Sequence, residues 1–228
     1  MLLDLIVSHV QYVMEACSNK IPGPGSKGTG TVAIKNYEAW QKIEVKMDTL
    51  AENKEIDTTF EMFGKTFKYP IFAGPVGAVS QHYSDLYNDN TFNEIYVRAC
   101  AKSGIAAFTG DGLNEEIMVH ATHYIKENNG IGVPTIKPWD KETCFKKLEL
   151  AKASKAFAIA MDVDAAGLPF LQGRIPPAGR KSVAELKKSL IMPKFLLLLK
   201  ELCQLKERKK RLMQVLKGLL FPIMEEEF

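Results

Sequence analysis

Residues 157–162 read Phe-Ala-Ile-Ala-Met-Asp, an apolar run broken only by the acid that ends it, and Val163-Asp164-Ala165 follows. Three earlier stretches have the same form. They are Pro70-Ile71-Phe72-Ala73-Gly74-Pro75, Ile105-Ala106-Ala107-Phe108-Thr109-Gly110 and Val133-Pro134-Thr135-Ile136-Lys137-Pro138. Continuous rather than alternating hydrophobicity means strands buried on both faces, the mark of a parallel sheet. Each run closes on a Gly, Pro or Asp turn and leads into a helix-like segment. Polar residues therefore collect at the carboxyl ends of the strands, where βα folds place their functional sites.

Helical segments are expected at about 91–103, 114–128, 141–155 and 181–190, with Asp140 and Ser182 as cap residues. Strand, turn and helix at near-constant spacing predict right-handed βα crossovers. An open doubly wound sheet and a closed barrel both fit this α/β pattern. Ahead of the repeat, Phe60 to Phe67 reads as a small hairpin turning at Gly64, and residues 35–55 as a helix with Tyr37, Trp40, Ile43 and Met47 on one face. Residues 21–31 form a Gly-rich connection that matches neither a dinucleotide fingerprint nor a P-loop.

The 228 residues are 46% hydrophobic and 25% charged, an ordinary soluble globular composition. A net charge of +3 gives no argument for a nucleic-acid partner. Cys17, Cys100, Cys144 and Cys203 are scattered with no CxxC spacing, so a reduced, cytoplasmic protein is expected. The apolar start has an early acid and no basic region, which disfavours a secretory signal. Leu196 to Leu199 is too short to span a bilayer, so no membrane partner is expected.

The strand ends carry the candidate chemistry. Gly74-Pro75-Val76-Gly77-Ala78 could let a planar ligand lie against backbone, or be a tight turn alone. In Thr109-Gly110-Asp111-Gly112 a hydroxyl and free amides could hold a polar ring edge or a phosphate, or simply cap a helix. Lys137 ends a buried strand, a costly place for an ammonium without a partner. Asp162 and Asp164 flank one residue, and strand alternation would point both the same way. His120 and His123 lie at i, i+3, but no acid or cysteine completes a metal set, so a packing or surface role is expected and no metal.

The segment Tyr69 to Lys188 resembles the FMN-dependent α-hydroxy-acid dehydrogenase and oxidase family, the lactate- and glycolate-oxidising flavoenzymes. The resemblance rests on Pro70 to Gly77, Phe108 to Gly112, Pro134 to Pro138 and Ala160 to Leu168, with Gly179-Arg180-Lys181-Ser182 leading toward a fifth strand. It implies a TIM (β/α)8 barrel, here partial, with about the first four βα units. It implies FMN as cofactor, a small 2-hydroxy acid as substrate and a homo-oligomer. Under it, Pro75, Val76 and Gly77 face the flavin, and Thr109, Lys137 and Asp162 contact it. Asp164 supports the catalytic histidine, while an arginine clamps the substrate carboxylate. A type 2 isopentenyl diphosphate isomerase-like flavoprotein is the rival enzyme. A non-catalytic protein that binds through a basic tail is the rival outside enzymes.

The chain then departs from that family. The resemblance asks next for a strand carrying a flavin lysine, a strand ending Ser-Asn-His-Gly-Gly-Arg and the phosphate-binding strands, and none of these is read in the sequence that follows. Codons for Lys217 to Phe228, read one frame over, permit Lys-Gly-Ile-Val-Val-Ser-Asn-His-Gly-Gly-Arg-Val. Those for His9 to Glu15 permit Cys-Pro-Val-Cys-Asn-Gly. The expected organisation is an irregular segment over 1–31, a partial barrel over 32–194 and a basic, helical, frameshifted tail over 195–228. The chain is expected to be an inactive fragment, without catalytic histidine or substrate arginine.

Overall fold

In the computed structural model, which describes residues 32–200 apart from 46, 48, 51, 53, 83–85, 169–170, 183 and 187–196, all four apolar runs are strands. A hairpin precedes them. Its strands β1 (Phe60–Met62) and β2 (Lys65–Phe67) pair antiparallel. Phe63 and Gly64 make the turn at φ 53° and 72°, the left-handed geometry that a two-residue hairpin demands and glycine takes without strain. The four runs supply β3 (Phe72–Ala73), β4 (Ala106–Thr109), β5 (Val133–Ile136) and β6 (Ile159–Asp162). A further strand, β7 (Leu197–Lys200), closes the series. The sheet runs β3-β4-β5-β6-β7, every pair parallel and every neighbour next in the chain.

The chain divides into two units, Met1–Asp57 with Gly167–Gln172, and Thr58–Ala166 with Gly173–Phe228. The described part of the first holds α1 (Val32–Trp40). The helix expected to reach residue 55 ends at Trp40, and Tyr37, Trp40, Ile43 and Met47 are all exposed. An amphipathic stripe stabilises a helix only through what it packs against, and this stripe is left in solvent.

The second unit holds the sheet and the helices α2 (Val79–His82), α3 (Asp89–Lys102), α4 (Glu115–Glu127) and α5 (Lys141–Ala153). Each of the three long helices starts at a side-chain cap. Asn88 accepts from the Thr91 N–H at 2.9 Å and Thr91 Oγ1 accepts from the Asn88 N–H at 3.2 Å, a reciprocal capping box. Asn114 accepts from the Glu116 N–H at 3.0 Å and Asp140 from the Thr143 N–H at 3.0 Å. Ser182 and Glu185 form the same kind of box at the start of the last expected helix.

Strand alternation sorts the sheet's two sides. Ala107 packs with Val97 and Cys100 of α3 and with Tyr124 and Ile125 of α4, so its side of β4 faces the helices. Val133, Ala158 and Ala160 cluster with Phe108 and Phe157 on the other side. Phe67 of the hairpin joins that second side, 5.1 Å from Phe72 and 5.4 Å from Phe157, and Phe72 lies 6.2 Å from Phe108. The two edge-to-face pairs, Phe67–Phe72 and Phe72–Phe108, add about 0.5–1.5 kcal/mol each beyond the area they bury.

One expectation changes at the end of the sheet. The segment from 195 was expected to be helical, yet Leu197–Lys200 is a strand, with Ile159, Ala160, Met161 and Asp162 opposite Leu197, Leu198, Leu199 and Lys200. An open edge on β6 outweighs the helix preference of leucine, because a paired ladder satisfies backbone groups on both strands. The rest of that tail and residues 1–31 lie outside the described residues. Among the described residues, no helix is long and apolar enough to cross a membrane.

The Asp140 cap yields a pH prediction. The Thr143 backbone N–H, above all, holds the Asp140 carboxyl below the usual carboxylate range. A lowered folded-state value puts the charge-dependent stability in place above the unfolded value of about 4. That stability is lost as pH falls through the lower folded value. Asp140→Asn keeps an acceptor and removes the titration. Urea midpoints of the two proteins should therefore differ near pH 6 and converge on acidification. A gap that stays constant with pH would show that the carboxylate charge does not matter.

Candidate functional site

The carboxyl ends of β3 to β6 form one rim of the sheet, and all seven residues singled out by sequence fall on it or just past it. Pro75, Val76 and Gly77 follow β3, Thr109 ends β4, Lys137 follows β5, and Asp162 ends β6. Asp164 lies beyond, half-buried in the 3₁₀ helix Val163–Gly167. Alternation was expected to aim Asp162 and Asp164 alike. It stops at Asp162, because the chain coils from Val163 onward.

Backbone contacts build the first part of the rim. The Gly110 N–H donates to the Val76 carbonyl at 3.1 Å, and the Tyr96 hydroxyl of α3 donates to the Gly74 carbonyl. Burial, and secondarily Cys100, pushes the Tyr96 hydroxyl well above its usual range, so it stays a donor. A Cβ on Gly110 would lie 2.2 Å from the Val76 oxygen and 2.5 Å from the Gly77 nitrogen. Only a residue without a side chain lets these two loops touch.

The side chains of the rim divide between the two sides of the sheet. Thr109 shares the alternation of Ala107, which faces the helices. It is fully buried and its hydroxyl oxygen has no hydrogen-bond partner. Thr135 shares the alternation of Val133, on the opposite side, and its buried hydroxyl is likewise unpartnered. Lys137 follows on the same side as Thr135, and its ammonium lies 3.7 Å from Asp162 Oδ2, each side chain 13% exposed. Two hydroxyls buried in this way cost about 1–3 kcal/mol apiece where nothing satisfies them. Only the Thr135 hydroxyl shares a side with Lys137 and Asp162, where a ligand with a polar edge could meet all three.

Sequence reasoning missed three residues here. Thr135 lay inside a quoted run without being chosen. Lys147 reads as one of several charges on a helix, yet it is buried and ion-paired with Asp111. Trp139 is fully buried and donates its indole N–H to Asp111 Oδ2 at 2.6 Å. The loop after β5 is also tied from its far side. The Asp140 N–H donates to the Pro177 carbonyl at 2.8 Å and the Gly179 N–H to the Pro138 carbonyl at 2.9 Å. Lys200, at the end of β7, stands in register with Asp162 and adds a fifth strand end to the rim. His120 and His123 sit on α4, 3.6 Å and 3.4 Å from Glu116 and Glu127, away from the strand ends.

A parallel sheet in chain order, with a long helix after each of β3, β4 and β5 and polar residues gathered at its carboxyl ends, is part of a (β/α)8 barrel. A family model for FMN-dependent dehydrogenases matches residues 24–191, and the chain belongs to that family. Among solved structures, a substituted mandelate oxidase holding (S)-mandelic acid aligns with a TM-score of 0.64 at 13% identity, covering 90% of this chain and 64% of that one. A lactate oxidase from Pediococcus acidilactici gives 0.63 at 15%, covering 90% and 63%. A doubly substituted flavocytochrome b2 with pyruvate bound gives 0.61 at 16%, covering 83% and 50%. The chain thus spans less than two thirds of each of these proteins. At such identities the likeness concerns the fold. No curated protein sequence matches the chain.

Proposed function

We propose that this chain is the flavin-cradling part of an FMN-dependent oxidoreductase of small 2-hydroxy acids, of lactate or glycolate type. The observation that carries the reading is the Lys137–Asp162 pair beside the unpartnered Thr135 hydroxyl, on one side of the sheet at the strand ends. A polar heterocycle lying there meets a hydroxyl, an ammonium and a carboxylate at once. Backbone at Pro75, Val76 and Gly77 supplies a flat wall, while the Thr109 side chain lies on the helix side of β4, away from Lys137 and Asp162. Asp164 stands where the resemblance places the acid that would support a catalytic histidine, a residue this chain is proposed to lack. FMN, when bound, accepts the electrons released as the alcohol becomes a ketone. The mandelic acid and pyruvate held by two of the structural neighbours favour a small carboxylic acid as substrate.

This polypeptide by itself is proposed to bind flavin and not to turn over. A base must reach the proton it abstracts, and none of the four histidines, His9, His82, His120 and His123, lies in a Ser-Asn-His-Gly-Gly-Arg sequence. Titrating the purified chain with FMN should shift the flavin absorbance bands, and anaerobic lactate or glycolate should leave the bound flavin oxidised. Rapid bleaching by either acid would refute the inactivity. Absence of any spectral shift would refute the flavin site.

A further inference from the structure

We infer that Asp111 and Lys147 form a buried charge clamp that positions Lys137 against Asp162, and through it the flavin contact, an inference that rests in its second half on the function proposed above. The Asp111 and Lys147 side chains are 1% and 4% exposed. Asp111 Oδ1 accepts from the Lys147 ammonium and from the Gly112 N–H at 2.8 Å. Its Oδ2 accepts from the Lys137 N–H at 2.9 Å and from the Trp139 indole at 2.6 Å. Lys147 also donates to the Gly112 carbonyl at 3.2 Å, and its ammonium stands 5.1 Å over the Trp139 ring. One carboxylate therefore gathers donors from the loop after β4, the loop after β5 and helix α5.

A buried ion pair adds little net stability over an apolar pair of the same volume. Its distinguishing property is direction, since charge-assisted bonds hold donors to defined positions. Here the direction matters at Lys137. Its main-chain N–H is held by Asp111 from the β4 side, while its ammonium reaches Asp162 on the β6 side. Asp111 and Lys147 themselves are positioning residues, because they act through Lys137.

The test uses the full chain and the double variant Asp111→Asn/Lys147→Met, which removes both charges at similar volume. Three quantities are compared with the wild type: the thermal midpoint, the ¹³C resonance of the Asp162 carboxyl, and the FMN dissociation constant from flavin fluorescence quenching. The expected result is a midpoint within a few degrees, a displaced Asp162 resonance, and FMN affinity about tenfold weaker. An Asp162 resonance and an FMN affinity both at wild-type values would overturn the clamp. Should the wild type bind no FMN, the flavin reading falls, and the Asp162 resonance alone decides the clamp. Should the double variant fail to fold, Trp139→Phe removes one donor and keeps most of the ring. A part-way displacement of the Asp162 resonance then supports the clamp, and an unmoved one overturns it.

Discussion

Gly110→Ala is expected to lower stability by about 3 kcal/mol, the upper end of what one added methyl costs in a packed site. The methyl would meet the Val76 carbonyl and the Gly77 nitrogen, both main-chain atoms, at 2.2 and 2.5 Å. A flexible side chain could swing away from such a contact, but two strand-end loops already hydrogen-bonded to each other cannot. The Gly110–Val76 bond would break as they part. At about 2–4 °C per kcal/mol for a chain of this size, the thermal midpoint should drop by roughly 10 °C. Flavin binding should go with it, because the same separation spoils the wall at Pro75 to Gly77. A variant that melts with the wild type would show that the loops after β3 and β4 do not touch.

Trp139→Ala should cost more, about 3–5 kcal/mol. The ring is fully buried and lies beneath the Lys147 ammonium. Its removal opens a cavity and takes one donor from a buried carboxylate. Trp139→Phe separates the two effects, since it fills most of the space and loses only the indole bond, worth about 1.5–3 kcal/mol to a charged acceptor. Urea midpoints of both variants provide the comparison. Equal losses would mean that the hydrogen bond carries everything and packing nothing.

These variants fall where the sequence was hardest to read. The strands were legible because a run such as Ile159-Ala160-Met161 has no polar residue to offer solvent, and only a sheet covered on both faces accommodates it. Gly64, Asp140 and Ser182 were readable because turns and caps are local chemistry, satisfied within a few residues. The clamp was not readable. Asp111 and Lys147 are 36 residues apart, and nothing near Lys147 distinguishes it from the exposed Lys146 beside it. Burial of that ammonium is decided by where α5 lands, a tertiary event. Leu197 to Lys200 shows the same limit in another form. Their composition suits a helix, and the open edge of β6 makes them a strand. At the rim, the positions of Pro75, Thr109, Lys137 and Asp162 followed from strand ends. The opposite sides taken by Thr109 and Thr135 needed the packing of Ala107 and Val133 to settle.

The five parallel strands stand in space in the order in which the ribosome makes them. Each new strand needs only its immediate predecessor as a template, so loop closure is short at every step and no late segment must thread between earlier ones. Such a sheet can grow during synthesis by accretion at a single advancing border. The same logic lets a gene be extended or trimmed by whole strand–helix modules while the older part of the protein keeps its architecture.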